Sequence, residues 1–223
     1  MSHETRFQLH VITDGQRQVN DLHSIVHKAV SSGADVIQLR YKAAPALDIY
    51  NIGHAIHPVI REAGARLLIN DRADVALALD AAGVHLAAKS LPVPVARPLF
   101  AGGADAKWIG CSVHSVEEAQ EQERLGATYV TYGHIFATHS KPGLPPRGLA
   151  ALRQVVEAVN IPVLAIGGIT VDNIDEVLAT GAAGIAVIGA VMQDDDPAQA
   201  TRLLREKMDA SPHRPRIALP GRD

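Results

Sequence analysis

AIGGI at residues 165–169 and AVIGA at residues 186–190 are the two stretches that decide the fold. Each follows a β-branched apolar run and precedes a helical pattern, so each glycine lies where a strand ends. Glycine lets the backbone come close to an anion, and the helix that follows offers it unpaired N–H groups. In a chain of alternating strands and helices, the last two strand ends are where (β/α)8 barrels hold phosphorylated metabolites. The two stretches therefore predict such a barrel, with a small phosphate ester as its ligand.

The same unit recurs earlier in the chain. Helices end in small residues and a glycine, and a β-branched run follows within a few residues, at 32–36, 81–84, 125–130 and 181–185. The glycine is typical of a helix C-cap, and β-branched residues favour strands. The apolar runs predict eight strands: Gln8–Thr13, Val36–Leu39, Arg66–Asn70, Gly83–Leu86, Trp108–Ser112, Tyr129–Tyr132, Pro162–Ile166 and Gly184–Ile188.

This order of elements predicts the fold class. Strands that alternate with helices pair in parallel, and continuous apolar strands are covered on both faces. Eight units without a linker favour a closed (β/α)8 TIM barrel, a single domain over residues 1–210, with an open doubly wound sheet as the alternative. Residues 211–223 are rich in proline and arginine without an apolar period, and we expect a disordered C-terminal tail.

Composition bounds the partners. The 223 residues are 47% hydrophobic and 20% charged with a formal net charge of −3, which is typical of a globular protein with a large core. No basic stripe points to nucleic acid, and no apolar run is long enough to span a membrane. The single cysteine, Cys111, excludes an intrachain disulfide and suits a reducing compartment, so we expect a cytoplasmic protein. The sequence leaves self-association as a homo-oligomer open.

Polar side chains follow the predicted strands at the edge where the mouth of a barrel would lie. The candidates are, in chain order, Arg40, Lys42, Asn70, Asp71, His85, Ser112, His134 and Lys141. Two bases at one strand end, Arg40 and Lys42, favour anion binding over solvated loop charges. Asp71 either caps the following helix or faces the mouth. We interpret His85 as a core residue, and no pair of histidines has the helical spacing of a zinc site.

His134 stands out because it directly follows a glycine at a strand end. Histidine can both take and give a proton near neutral pH, which makes His134 the candidate acid–base group. The loop after it, residues 136–148, has prolines at 142, 145 and 146 and is long enough to act as a lid. An ordered surface loop is the alternative.

Seven segments carry a resemblance to a known family. They are Val11–Asp14, Gln38–Lys42, Ile69–Ala78, Gly83–Leu86, Gly110–Ser115, Gly133–Phe136 and Ile166–Ile169. From about residue 10 to about residue 208, the chain resembles the thiamin-biosynthesis branch of the phosphate-binding barrels. That branch contains thiamine phosphate synthases and TenI-type thiazole tautomerases.

Departures from the family pattern decide between these two activities. The resemblance implies that a synthase joins a pyrimidine pyrophosphate to a thiazole phosphate and holds Mg²⁺ with Asp71 and an aspartate after the fourth strand. Residues 87–90 read AAKS, so Ser90 stands where the second carboxylate is expected. Residues 137–141 read ATHSK in place of the synthase's Pro-Thr-x-Thr-Lys loop. We therefore expect an isomerase, a thiazole tautomerase, with no metal and no other cofactor.

The tautomerase interpretation assigns roles to the candidates. His134 would remove the ring C2 proton of a phosphorylated carboxythiazole and deliver a proton to its exocyclic carbon, which makes the ring aromatic. Arg40 or Lys42 would hold the carboxylate, and Gly168 with the turn at Ile188 and Gly189 would hold the phosphate. The other residues expected to bind the substrate are Asn70, Ser112 and Lys141. The alternatives are a magnesium-dependent thiamine phosphate synthase and a non-catalytic regulator that binds thiazole phosphate.

Overall fold

The strands of this chain close on themselves. The computed structural model describes residues 6–101, 106–138 and 140–219. Its strands are β1 (Gln8–Ile12), β2 (Val36–Leu39), β3 (Arg66–Asn70), β4 (Gly83–Leu86), β5 (Trp108–Val113), β6 (Tyr129–Gly133), β7 (Val163–Ile166) and β8 (Gly184–Val187). They pair in parallel in chain order, and β8 pairs with β1. The predicted TIM barrel is confirmed, and the open sheet is excluded.

Helices cover the outside of the barrel. They are α1 (Val19–Ser31), α2 (Ala46–Glu62), α3 (Ala73–Ala78), α4 (Val93–Ala96), α5 (Val116–Arg124), α6 (Gly148–Ala158), α7 (Ile174–Leu178), α8 (Gly189–Met192) and α9 (Pro197–Ala210), with a 3₁₀ helix at Arg97–Phe100. Their apolar faces pack on strand residues such as Leu9, Ile37 and Ile69, which are fully buried. The described helices include none with the length and apolar character needed to cross a membrane.

The interior of the barrel has an apolar floor and a polar upper part. Successive strand residues point to opposite faces, so Val36 and Leu68 belong to an inner cluster while their neighbours pack against helices. Trp108 and Tyr129, the first residues of β5 and β6, complete this floor at the N-terminal ends of the strands. Above it, buried polar side chains lead towards the mouth: His10, Gln38, Asn70, His85 and Thr131.

The part of the expected loose tail that the structure describes, residues 211–219, lies against the barrel. Leu219 is 4% exposed and joins the inner cluster at the floor. Arg216 donates from Nη1 to the carbonyl oxygens of Val156 and Val159, at 3.0 and 2.5 Å, where α6 ends. No periodic apolar pattern marks this segment, because one leucine and one arginine suffice for these contacts. Residues 220–223 lie outside the described part of the chain.

Predicted and observed strand ends differ by one residue at several places. β5 and β6 each run one residue further, to Val113 and Gly133, whereas β1 and β8 each stop one residue earlier. β7 begins at Val163 because Pro162 has no N–H to donate to the ladder. The Pro162 carbonyl still accepts from the Val130 N–H at 3.0 Å, so Pro162 contributes to the pairing of β6 with β7.

Candidate active site

A chain of hydrogen bonds crosses the mouth of the barrel from β2 to β4. Gln38 Nε2 donates to Asn70 Oδ1 at 3.0 Å, and Asn70 Nδ2 donates to Asp71 Oδ2 at 2.6 Å. Gln38 and Asn70 are both buried, so these bonds fix the direction of the Asn70 amide. Asn70 therefore lies at the predicted site, and its visible role is to hold Asp71 in place.

Asp71 faces the mouth and does not cap a helix. Helix α3 begins at Ala73 with Arg72 as its N-cap, and no side chain caps it. Asp71 has a φ of 63°, a left-handed conformation that turns its carboxylate back towards β4. There Oδ1 accepts from the Ala87 N–H at 3.2 Å and from the Ser90 hydroxyl. Both carboxylate oxygens of Asp71 are thus bonded to protein donors.

The fold family implies a magnesium ion at this carboxylate, and the donor set does not fit one. Mg²⁺ binds through carboxylates and other oxygens in octahedral geometry. The Ser90 hydroxyl directs its hydrogen at Asp71, and the neighbouring Lys89 adds positive charge. Within the described ranges, no group of three or more His, Cys, Asp or Glu side chains could hold a metal ion.

Basic side chains lie near Asp71: Arg40 and Lys42 interact with it electrostatically, and Lys89 lines a cavity together with it. Arg40 is half-buried, and burial lowers its pKa while the Asp71 carboxylate opposes the change. The pKa of the exposed Lys42 is lowered mainly by Arg40, with burial, Lys141 and Lys89 adding to the effect and Asp71 opposing it. Arg40, Lys141 and Lys89 therefore all lie within electrostatic reach of Lys42.

His134 lies under the loop that follows β6. It is 5% exposed, and its Nε2 lies 3.1 Å from the carbonyl oxygen of Leu144. A carbonyl oxygen only accepts, so Nε2 carries the hydrogen and the ring holds the loop. A cavity of about 350 Å³ beside it is lined by Lys141, Leu144 and Arg147, among others.

His114, which directly follows β5, contacts Lys141. Lys141 Nζ lies 3.4 Å from His114 Nε2, and His114 Nδ1 lies 3.3 Å from Glu118 Oε2. Ser112, two residues earlier on β5, lies with its Oγ 2.9 Å from His85 Nε2. The structure thus places Ser112 at the mouth, in contact with a histidine that the sequence predicts to be a core residue.

The two glycine strand ends lie at the ends of β7 and β8, as predicted. Gly168 has a φ of 69°, and a Cβ added there would lie 2.5 Å from the Ala137 carbonyl oxygen. In the described part of the chain, the backbone N–H groups of Gly167, Gly168 and Ile188 have no hydrogen-bond partner. Gly189 begins the short helix α8 directly after Ile188. Three unpaired N–H groups at neighbouring strand ends can donate hydrogen bonds to a bound anion.

Three residues outside the predicted substrate-binding set also lie at the site. Lys89 and Ser90 line a cavity of about 420 Å³ together with Asp71. Arg147 donates from Nε to the Gly133 carbonyl oxygen at 3.0 Å and lies over the ring of Tyr132. The available signal for all three was their position shortly after a strand or at the end of the proposed lid.

A (β/α)8 barrel with a cluster of basic side chains and glycine strand ends at its mouth is typical of enzymes that act on phosphorylated small molecules. Comparison with known proteins makes this class specific. The chain belongs to the thiamine monophosphate synthase (TMP-TENI) family, whose model matches residues 9–191.

Relatives of known name support this membership. A thiamine-phosphate synthase from Roseiflexus castenholzii is 47% identical over 201 residues, which cover 88% of this chain and 86% of that protein. A thiamine-phosphate synthase from Pyrococcus furiosus is 44% identical over 206 residues, covering 92% and 97%. The solved structure of a thiamine phosphate pyrophosphorylase from Pyrococcus furiosus has a TM-score of 0.80 at 43% identity and covers 91% of this chain and 96% of that one.

These relatives contradict the isomerase predicted from the sequence. They are named as synthases, which are transferases, and the similarity extends over most of both chains. The prediction of an isomerase was wrong because it gave two local departures, at Ser90 and in residues 137–141, more weight than the remainder of the chain.

Proposed function

We propose that this chain is a thiamine phosphate synthase, a transferase that joins a pyrimidine pyrophosphate to a thiazole phosphate. The observation that carries the proposal is the cluster of Arg40, Lys42, Lys89 and Lys141 around the barrel mouth. A group of four cations matches the charge of a pyrophosphate better than that of a single carboxylate. The synthases among the relatives, at 44–47% identity, support the same reaction.

The reaction needs charge stabilisation at one leaving group. The bond between the pyrimidine methylene carbon and the pyrophosphate oxygen breaks, and the oxygen keeps the electron pair. The thiazole ring nitrogen donates its electron pair to the methylene carbon and forms the new C–N bond, which yields thiamine phosphate and pyrophosphate. Negative charge develops on the departing oxygen, so preorganised cations next to it lower the barrier.

The two phosphorylated ends of the substrates have separate places in this proposal. Arg40, Lys42, Lys89 and Lys141 hold the pyrophosphate, and Asp71 holds the cations in position. The thiazole phosphate lies on the unpaired N–H groups of Gly168, Ile188 and neighbouring turns, including Gly189. Asn70 and Ser112 offer hydrogen bonds between the two anion sites.

His134 has a holding role in this reaction. Its Nε2–H is already donated to the Leu144 carbonyl oxygen, so the ring fixes the loop that carries Lys141. The coupling reaction requires no proton transfer between two carbon atoms. His134 therefore keeps the loop closed over the substrates and excludes water from the reacting carbon.

The proposal is tested by incubating the purified protein with the pyrimidine pyrophosphate and the thiazole phosphate, with and without added Mg²⁺. We expect thiamine phosphate and pyrophosphate in equal amounts, detected by chromatography and by a pyrophosphate assay. Arg40→Ala should lower kcat/KM by roughly a hundredfold, the order found for removal of one charge-stabilising group. Lys28→Ala, on the outer helix α1, is the matched control and should retain wild-type activity. No product under either condition would overturn the proposal.

A further inference from the structure

A line of three side chains runs from the barrel interior to the mouth: Tyr129, His85 and Ser112. The Tyr129 hydroxyl lies 3.0 Å from His85 Nδ1, and the Ser112 Oγ lies 2.9 Å from His85 Nε2. Tyr129 is fully buried and His85 is 3% exposed, while Ser112 is half-buried where β5 reaches the mouth. The coupling chemistry described above leaves His85 and Tyr129 without a role.

Both inner groups are uncharged. Burial lowers the pKa of His85 to about 4, with Asp71 partly opposing the change, so the ring is neutral near pH 7. Burial also raises the pKa of Tyr129, so the phenol keeps its proton. A neutral imidazole has one donor nitrogen and one acceptor nitrogen. The neutral His85 ring therefore carries its hydrogen either on Nδ1 or on Nε2.

The buried phenol of Tyr129 determines the tautomer of His85. Among the described residues, the Tyr129 hydroxyl has a single hydrogen-bond partner, His85 Nδ1. If Nδ1 carried the hydrogen, the phenol hydrogen would be buried without an acceptor, which is costly. The phenol therefore donates to Nδ1, and Nε2 carries the hydrogen and donates to Ser112 Oγ, with Thr131 Oγ1 3.4 Å from the same nitrogen.

We propose that Tyr129 and His85 are positioning residues that make Ser112 a hydrogen-bond donor to the ligand. Because Ser112 Oγ accepts from His85, its own hydrogen is left for an acceptor in the mouth. Lys141 lies beside His114, two residues after Ser112 in the chain, so a cation accompanies this donor and favours an anionic oxygen as the acceptor. That this oxygen belongs to a pyrophosphate rests on the proposed function, whereas the direction of the hydrogen bonds does not.

Nuclear magnetic resonance tests the direction of the bonds without any assay of activity. In ¹⁵N-labelled wild-type protein at pH 7, long-range ¹H–¹⁵N correlations of the His85 ring should show a protonated Nε2 and an unprotonated Nδ1. His85→Gln identifies the ring by the loss of its signals. A protonated Nδ1 would overturn the inference even if the protein proves to be a synthase. If the spectrum shows a protonated Nε2 but the protein has no synthase activity, the direction of the hydrogen bonds is supported and only the proposed function is overturned.

Binding of inorganic pyrophosphate, measured by calorimetry, tests the effect on the ligand. Ser112→Ala and His85→Met should each weaken binding by about tenfold, the loss expected for one hydrogen bond to a charged group. The double variant should bind like either single variant, because both remove the same donor. His85→Gln, whose amide can donate to Ser112, should bind pyrophosphate almost as tightly as wild type and more tightly than His85→Met.

His10→Met is the matched control. His10 lies in the same interior and packs edge-on against Tyr129, with its Nε2 unpartnered among the described residues. This variant should bind pyrophosphate within about twofold of wild type. Losses that multiply in the double variant, or an equal loss in His10→Met, would show a general effect of core packing and overturn the inference. If His85→Met does not fold, Ser112→Ala and the wild-type spectrum still decide it.

Discussion

At the end of β3, protein donors already occupy the Asp71 carboxylate. Asn70 bonds to one oxygen, and Ala87 and Ser90 bond to the other. The hydroxyl at position 90 thus converts a position suited to a metal ligand into a donor to Asp71. The surrounding lysines and Arg40 then provide the positive charge that an anionic substrate needs.

Ser90→Asp should reverse this arrangement. Two carboxylates would face each other at residues 71 and 90, and a divalent cation would relieve their repulsion. We expect at least about tenfold tighter binding of Mg²⁺ than in wild type, measured by calorimetry. Ser90→Ala, which removes the hydroxyl without adding a charge, is the control. Equal Mg²⁺ affinity in the two variants would contradict this account of the site.

Gly168 offers a second test at the scale of one residue. Alanine at this position would be strained by a φ of 69°, and its Cβ would lie 2.7 Å from the Phe136 Cβ. Gly143 has a similar φ of 77° with no atom within 4 Å of an added Cβ. In chemical denaturation, Gly168→Ala should lose about 1–3 kcal/mol more stability than Gly143→Ala, because only the former creates a steric clash. Equal losses would show that the space beside Gly168 does not matter.

Single-residue chemistry was only partly predictable from the sequence. The Ser115 cap of α5 could be predicted because it depends only on local spacing. In the structure, Ser115 Oγ accepts from the Glu118 N–H at 3.1 Å. The direction of the Asp71 carboxylate could not be predicted, because it depends on Ala87 and Ser90, which follow the next strand. The prediction of His85 as a core residue agrees with its 3% exposure, but nothing local shows that Ser112, on another strand, lies 2.9 Å from its ring.

At the scale of elements, the loop from β6 to α6 depends on a few contacts to the barrel. His134 holds the Leu144 carbonyl oxygen, and the Arg147 N–H donates to the His134 carbonyl oxygen at 2.9 Å. The start of the loop is anchored by the buried Ile135, whereas Leu144 is 58% exposed. Around Leu144 the loop is therefore held by polar contacts.

His134→Ala should loosen this loop without unfolding the barrel. Loss of one hydrogen bond contributes about 1 kcal/mol, so amide exchange in residues 140–147 should become roughly fivefold faster. Hydrogen–deuterium exchange measured by mass spectrometry reports it, with His27→Ala on α1 as the control. Unchanged exchange in the loop would show that His134 does not hold it.

Element types could be predicted from local patterns, whereas closure could be predicted only indirectly. Helix C-caps such as Gly33 and Gly126 and the β-branched runs after them located the strands. The pairing of β1 with β8 joins residues far apart in sequence, so only the eight units without a linker and the glycine strand ends favoured the barrel over an open sheet. The contacts of residues 211–219 were missed for the same reason, since their partners lie in α6 and on the barrel floor.

At the scale of the whole molecule, Leu219 closes the floor of the barrel. Leu219→Ala should lower the melting temperature by about 4–10 °C, because burial of a leucine stabilises a domain of this size by about 1.5–3 kcal/mol. Leu203→Ala, on the outer helix α9 with the side chain 42% exposed, is the matched control. Differential scanning fluorimetry compares the two, and equal shifts would argue against a sealed floor.

The buried histidines make overall stability depend on pH. Burial lowers the pKa of His10 to about 3, with His85 and Arg66 adding to the effect, and the pKa of His85 falls to about 4. The unfolded chain binds these protons near pH 6.5 and the folded chain does not, so stability is lost as pH falls below that value. The loss should approach about 1.4 kcal/mol per pH unit for each histidine.

Denaturant titrations between pH 7 and pH 5 measure this slope. His85→Gln removes one of the two groups and should make the slope shallower by about half over this range. A stability that stays constant down to pH 5 would mean that neither histidine is held neutral in the folded protein.

The pairing of β1 with β8 has a consequence for how the protein is made. The first strand leaves the ribosome early, and the partner for its free side, residues 184–187, is synthesised some 170 residues later. A strand with an unpaired edge is a template for pairing with other chains. During translation, each new copy therefore carries an open edge that only its last strand can cover, and polysomes bring several such copies close together.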